Sequence, residues 1–172
     1  SMDMGPSIAD KQWQTVMGYI EAGRKEGARL LTGGHRPDHL SQGWFIAPTI
    51  FDDVTPGMRI FQEEIFGPVL SVATATSLED ALAKANGVEY GFTTSIFTRD
   101  INTVMRFIED VEVGMVHVNE PTVGGEAQLP FGGTKSTGVG EREMAEEGLN
   151  FFTEIKTVFV NYGGAAGPSL TR

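Results

Sequence analysis

The chain has 172 residues, 40% of them hydrophobic, with 23 acidic side chains against 13 basic ones and a formal charge of −10 at pH 7. A chain of this length buries roughly two thirds of its unfolded surface as one domain without covalent staples. Its negative charge, with no basic cluster to offset it, argues against nucleic-acid and anionic-membrane partners, and the absence of cysteine removes disulfides and thiolate metal sites and suits a cytoplasmic protein.

Helical and extended patterns alternate along the chain, as expected of an α/β structure. Ser1-Met2 reads as a cloning remnant rather than a natural start. Trp13, Val16, Met17 and Ile20 recur at i, i+3, i+4 and i+7, which predicts a first helix ended by Gly27. Gly33, Gly34 and Pro37 then break the chain into a loop. Phe45 to Phe51 has the aromatic and β-branched content of a strand, and Pro48 places it at an edge or a bulge. Val69 to Ala73 is a short apolar run suited to a buried strand. Ser77 caps a helix whose Leu78, Ala81, Leu82 and Ala85 share one face and which stops at Gly87. Thr93 to Thr98 reads as a strand, and Asp100 as the cap of a helix carrying Ile101, Val104, Met105 and Ile108. Met115 to Asn119 is the strand that feeds a glycine-rich loop.

Beyond that loop, Glu141 to Asn150 reads as a helix and Thr157 to Tyr162 as a final strand. From Gly163 onward the Gly, Ala, Pro and Ser content predicts a mobile tail. No repeat and no internal linker divides the chain. Residues 7–162 therefore read as one domain between a remnant-and-linker segment at 1–6 and a tail at 163–172. No apolar run approaches ~18 residues and no signal-peptide pattern opens the chain, so neither membrane spanning nor secretion is supported.

Chemistry concentrates in two loops. Glu63-Glu64-Ile65-Phe66-Gly67-Pro68 sets two adjacent carboxylates before an aromatic and a stiff Gly-Pro pair. In extended backbone, neighbouring side chains point to opposite sides, so only one of the two acids can face a given pocket. One carboxylate can accept two hydrogen bonds from a vicinal diol, the way acidic residues hold a ribose. The plainer alternative is a loop acid pair with a core phenylalanine. The second loop, Asn119 to Gly140, is rich in Gly and Pro and holds Phe131. It fails as a phosphate loop because Thr134, not glycine, precedes Lys135-Ser136, and as a dinucleotide fingerprint because Glu143 stands where the third glycine is needed. The plainer reading there is an ordered loop whose Phe131 plugs a core.

The three histidines add little. His35 and His39 have helical i, i+4 spacing, but Gly33, Gly34 and Pro37 make a helix there improbable, so no metal site is expected. His117 lies in a strand pattern, where a partly buried, hydrogen-bonded histidine is ordinary.

Glu63-Glu64-Ile65-Phe66-Gly67-Pro68, then Pro130-Phe131-Gly132-Gly133 with Lys135 and a second glycine pair, then Glu154-Ile155-Lys156-Thr157-Val158, follow the order and approximate spacing found in the aldehyde dehydrogenase superfamily. The resemblance runs from about Gly5 to Tyr162, and it implies the C-terminal part of the catalytic domain: a mixed, largely parallel sheet flanked by helices. It further implies that Glu64 grips the nicotinamide ribose of NAD or NADP, that Phe66 lies beside the nicotinamide ring, and that Phe131 lines the substrate tunnel, with Glu120 to Leu129 facing the variable end of the aldehyde. Glu63 is then structural or solvent-facing. The sequence departs from the commonest family pattern in a loop about one residue longer and in Glu141, which separates the glycine pair from Arg142-Glu143.

By the same resemblance, a cysteine thiolate attacks the aldehyde, hydride passes to NAD(P), and water hydrolyses the thioester to release a carboxylic acid. The cysteine, the general-base glutamate and the main dinucleotide fold belong to the region preceding the one matched, so this chain is expected to be inactive alone. The terminal strand is expected to pair with a neighbouring subunit and make a homo-oligomer. A rival reading is a non-catalytic oligomerisation or interaction module derived from the same fold.

Overall fold

The computed structural model describes residues 4–161. Those residues form α1 (Asp10–Lys25), β1 (Arg29–Thr32), β2 (Thr49–Asp52), α2 (Arg59–Gln62), β3 (Val69–Ser71), α3 (Leu78–Asn86), β4 (Tyr90–Gly91), β5 (Thr93–Ile96), α4 (Ile101–Asp110), β6 (Met115–Val118), β7 (Thr134–Lys135) and α5 (Ala145–Phe151). Strands β1, β2 and β3 make one sheet, in which β1 runs antiparallel and β3 parallel to β2. Strands β5 and β6 pair in parallel through the α4 crossover, and β4 pairs antiparallel with β7. The architecture is α/β, as the sequence pattern implied, with mixed sheets, as the resemblance implied.

Two apolar cores hold these layers. The first gathers Val16 and Ile20 of α1, Ile46, Phe51 of β2, Val54, Met58 and Ile60 of α2. Val16, Ile20 and Phe51 are at most 1% exposed, so α1 and the first sheet share one dry seam. Leu82 of α3, Phe107 of α4 and Val111 build the second, with Ile96 and Val116 packed on it from β5 and β6.

Local chemistry sets most of the ends. Gly27 takes φ +96°, and the Ala28 amide donates to the Gly23 carbonyl at 2.9 Å, so the chain turns out of α1 there. The Ser77 hydroxyl accepts from the Asp80 amide and the Asp100 carboxylate accepts from the Asn102 amide, capping α3 and α4 where the sequence placed them.

Three expectations are corrected. The strand around Pro48 is confined to Thr49–Asp52, since proline cannot donate to a ladder. The last helix begins at Ala145, not Glu141, because Glu143 instead exchanges two hydrogen bonds with Phe131 at 2.7 and 2.8 Å and Met144 turns at φ +63°. Residues 157–161 are exposed and belong to no strand, since strand propensity expresses fit beside a neighbour and no strand among the described residues lies alongside. Tyr162 and the tail at 163–172 lie outside the described residues, as do residues 1–3 of the remnant-and-linker segment.

Candidate functional site

The Glu63–Pro68 loop lies in the crossover from β2 to β3, directly after α2. Glu63 ends α2 with φ −109° and ψ 150°, so the chain is already extended there and Glu63 and Glu64 diverge. Glu63 turns back into the protein. Its Oε1 accepts from Arg59 Nε at 3.0 Å, and its Oε2 accepts from Arg59 Nη2 at 2.9 Å and from the Tyr19 hydroxyl at 2.8 Å. The Arg59 guanidinium also lies 5.0 Å from the centre of the Tyr19 ring. The Arg59 hydrogen bonds, then the Tyr19 hydroxyl, lower the Glu63 carboxyl to about 2, and the Tyr19 hydroxyl is in turn raised, chiefly by its bond to Glu63.

Glu64 behaves differently. It is exposed and accepts no hydrogen bond from the described residues, leaving its carboxylate available to an outside donor. Phe66 adopts φ +53°, an uncommon conformation for an aromatic residue, and its side chain is 76% exposed. It is not the core phenylalanine of the plainer reading. The loop is nonetheless held tightly: Gln12 Nε2 of α1 donates to the Phe66 carbonyl at 2.8 Å, and Gly67 lies directly on Val16.

The second loop is built separately. β6 leads into Asn119, and the chain returns to β7 past Phe131, whose ring meets Phe92 edge-on with centroids 5.3 Å apart. Phe131 is half-buried and lines a cleft of about 570 Å³ together with Met115, His117, Glu120, Val123 and Leu129. His117, Glu120 and Glu126 stand among the apolar side chains of these walls, so the cleft offers both polar and apolar contacts to a small organic molecule. Lys135 serves structure here: its Nζ donates to the Asn86 and Val88 carbonyls at 2.7 and 3.3 Å and pairs with Glu112 at 2.8 Å, tying β7 to the end of α3.

No ring contact or hydrogen bond among the described residues joins Glu64 or Phe66 to Phe131. Tyr90 lies in β4, which pairs with β7 through Lys135. Its hydroxyl is raised mainly by Glu89, with Glu64 and Tyr19 adding smaller contributions of the same sign. His35 contacts the Gly33 carbonyl through Nδ1 at 3.0 Å, and no group of three potential metal ligands forms among the described residues. No helix among them is long and apolar enough to cross a membrane.

Sequence reasoning missed Tyr19, Arg59 and Gln12. The i, i+4 spacing of Arg59 and Glu63 was a usable signal. Tyr19 and Gln12 reach the loop across 44 and 54 residues, and no local pattern marks such contacts.

Comparison with known proteins gives this geometry a lineage. The model of the Aldehyde dehydrogenase family matches residues 1–158. Among curated relatives, the alpha-ketoglutaric semialdehyde dehydrogenase of Bacillus subtilis is 44% identical over 159 residues, 91% of this chain and 33% of its own length. The 2,5-dioxopentanoate dehydrogenase of Saccharolobus solfataricus is 45% identical over 92% of this chain and 33% of its own. The aldehyde dehydrogenase of Mycobacterium tuberculosis, solved with NAD+, superposes at a TM-score of 0.86 and 41% identity over 95% of this chain and 33% of that one. This chain spans about a third of the length of the curated relatives it matches, and it belongs to the aldehyde dehydrogenase family.

Proposed function

We propose that the chain is the C-terminal part of an NAD(P)-dependent aldehyde dehydrogenase that oxidises an aldehyde to a carboxylic acid. In this reading Glu64 and Phe66 form the nicotinamide-side clamp and Phe131 forms part of the substrate-tunnel wall. The observation that carries it is the contrast between the two acids. Glu63 is fully engaged with Arg59 and Tyr19, while its neighbour Glu64 accepts no hydrogen bond from the described residues and stands beside an exposed ring on a braced loop.

The residues present fit a dinucleotide. An unpartnered carboxylate can accept both hydroxyls of a ribose diol, and the exposed face of Phe66 can lie along a flat heteroaromatic ring and limit its swing. A bound nicotinamide supplies the acceptor for the hydride that leaves the substrate. Phe131, fixed by Phe92 and by its two hydrogen bonds to Glu143, shapes the cleft and keeps water from it on that side. Glu120 and Leu129 in the same wall face the part of the aldehyde that varies.

The chain has no cysteine and so lacks the thiolate that would attack the carbonyl. It is therefore inactive alone. Incubated with aldehyde and NAD, the purified chain produces no NADH; turnover by material free of contaminating dehydrogenase overturns the reading. A cytoplasmic location and a homo-oligomer assembled through residues 157–162 complete the proposal. The exposed Val158 and Phe159 of that segment support it, because such side chains gain from covering by a second subunit.

A further inference from the structure

We infer that Tyr19 and Arg59 are positioning residues for Glu64, acting through the neighbouring Glu63. The inference rests on the dinucleotide-clamp reading of the loop and adds what holds the clamp in place.

A carboxylate on a wandering loop binds weakly, because its ordering must be supplied at the moment of binding. Here the loop is anchored on both sides of Glu64. On the near side, three charge-assisted hydrogen bonds from Arg59 and Tyr19 fix Glu63. On the far side, Gln12 holds the Phe66 carbonyl and Val16 abuts Gly67. Only Glu64 and Ile65 lie between the anchors, and Ile65 packs on the first core.

The three α1 residues that grip the loop are Gln12, Val16 and Tyr19, spaced i, i+4 and i+7 along one stripe of the helix. Val16 and Ile20 root that helix in the first core, so the stripe is a rigid bracket. Because alternation along extended backbone makes the direction of Glu64 the inverse of that of Glu63, pinning one aims the other. A half-exposed ion pair adds little to folding stability, so the weight of this network falls on geometry.

The test uses the intact dehydrogenase polypeptide carrying this segment, with NAD as the varied substrate. Tyr19→Phe removes one hydroxyl and keeps the ring, and Arg59→Lys keeps the charge but loses the two-pronged fork. Each is expected to raise the KM for NAD about fivefold, the usual worth of one net hydrogen bond. The aldehyde KM should stay within about twofold and the melting temperature within about 3 °C, as for a modest surface change. Glu64→Gln is measured in parallel. If it raises the NAD KM while Tyr19→Phe and Arg59→Lys leave it unchanged, the positioning role is overturned and the clamp stands. If both variants shift the two KM values together and lower the melting temperature, the network is merely structural and the inference fails. If Glu64→Gln itself leaves NAD handling unchanged, the clamp reading falls and the positioning role with it.

Discussion

Replacing Gly67 by alanine should loosen the loop from α1 at a measurable cost. A Cβ at Gly67 would stand 2.5 Å from Val16 Cγ2, 2.8 Å from Cγ1 and 3.2 Å from Cβ. Carbon atoms prefer a separation of about 3.5–4.0 Å, so loop and helix must part by roughly 1 Å. Val16 cannot yield: it is 0% exposed, β-branched and held by the first core. Overpacking of this kind costs about 1–3 kcal/mol, and the gain from removing an unfolded-state glycine offsets about 0.4–1 kcal/mol of it. The net loss of about 1–2 kcal/mol lowers the melting temperature of a chain this size by about 2–8 °C. Thermal unfolding followed by circular dichroism measures it. The partner variant Val16→Ala opens room for the new methyl, so the double variant should be less destabilised than the sum of the single ones by about 1 kcal/mol. An unchanged or higher melting temperature for Gly67→Ala, or strict additivity in the pair, would show that the contact is not as tight as described.

Other consequences can be checked on the same material. The Glu63 carboxyl is held at about 2 in the folded chain against an ordinary 4.5, so its contribution is present above pH 4.5 and is lost as the pH falls toward 2. An NMR titration of the Glu63 carboxyl should find its midpoint well below 4.5, and a midpoint at the ordinary value would contradict the network. Thr93 Oγ1 is buried without a hydrogen-bond partner among the described residues, so Thr93→Val should raise the unfolding free energy by about 1 kcal/mol, read as a higher urea midpoint; a lower midpoint counts against that burial. Light scattering at rising concentration should find self-association of the chain, given its exposed Phe151, Phe152, Ile155, Val158 and Phe159, whereas a strictly monomeric species would contradict the oligomer reading.

Elements with strong local signals were legible in the sequence, and elements made by distant contacts were not. The helices α3 and α4 emerged with their caps because Ser77, Gly87 and Asp100 act on the adjacent backbone. Strand β1 went unseen because Arg29-Leu30-Leu31-Thr32 is mostly exposed and lacks alternation, and its place comes from pairing with Asp52 and Phe51. Helix α2, from Arg59 to Gln62, is too short to show a period. The start of α5 was misplaced because a bridge to Phe131 overrides helical propensity at Glu143.

The candidate site divides the same way. Backbone alternation predicted opposite directions for Glu63 and Glu64, and the structure has Glu63 in extended backbone and bonded to Tyr19 while Glu64 is exposed. Which acid turns inward could not follow from spacing, since it depends on Tyr19, 44 residues away. The resemblance chose Glu64 as the ligand-facing member, and the proposed clamp rests on that choice.

The decisive measurement is the Kd of the dinucleotide for the intact dehydrogenase carrying Glu64→Gln, an exchange that keeps size and removes the charge. Losing a charged acceptor from a diol should weaken binding at least about tenfold while the melting temperature holds. A Kd and a turnover indistinguishable from those of the unaltered enzyme would contradict the assignment of this loop to the nicotinamide ribose.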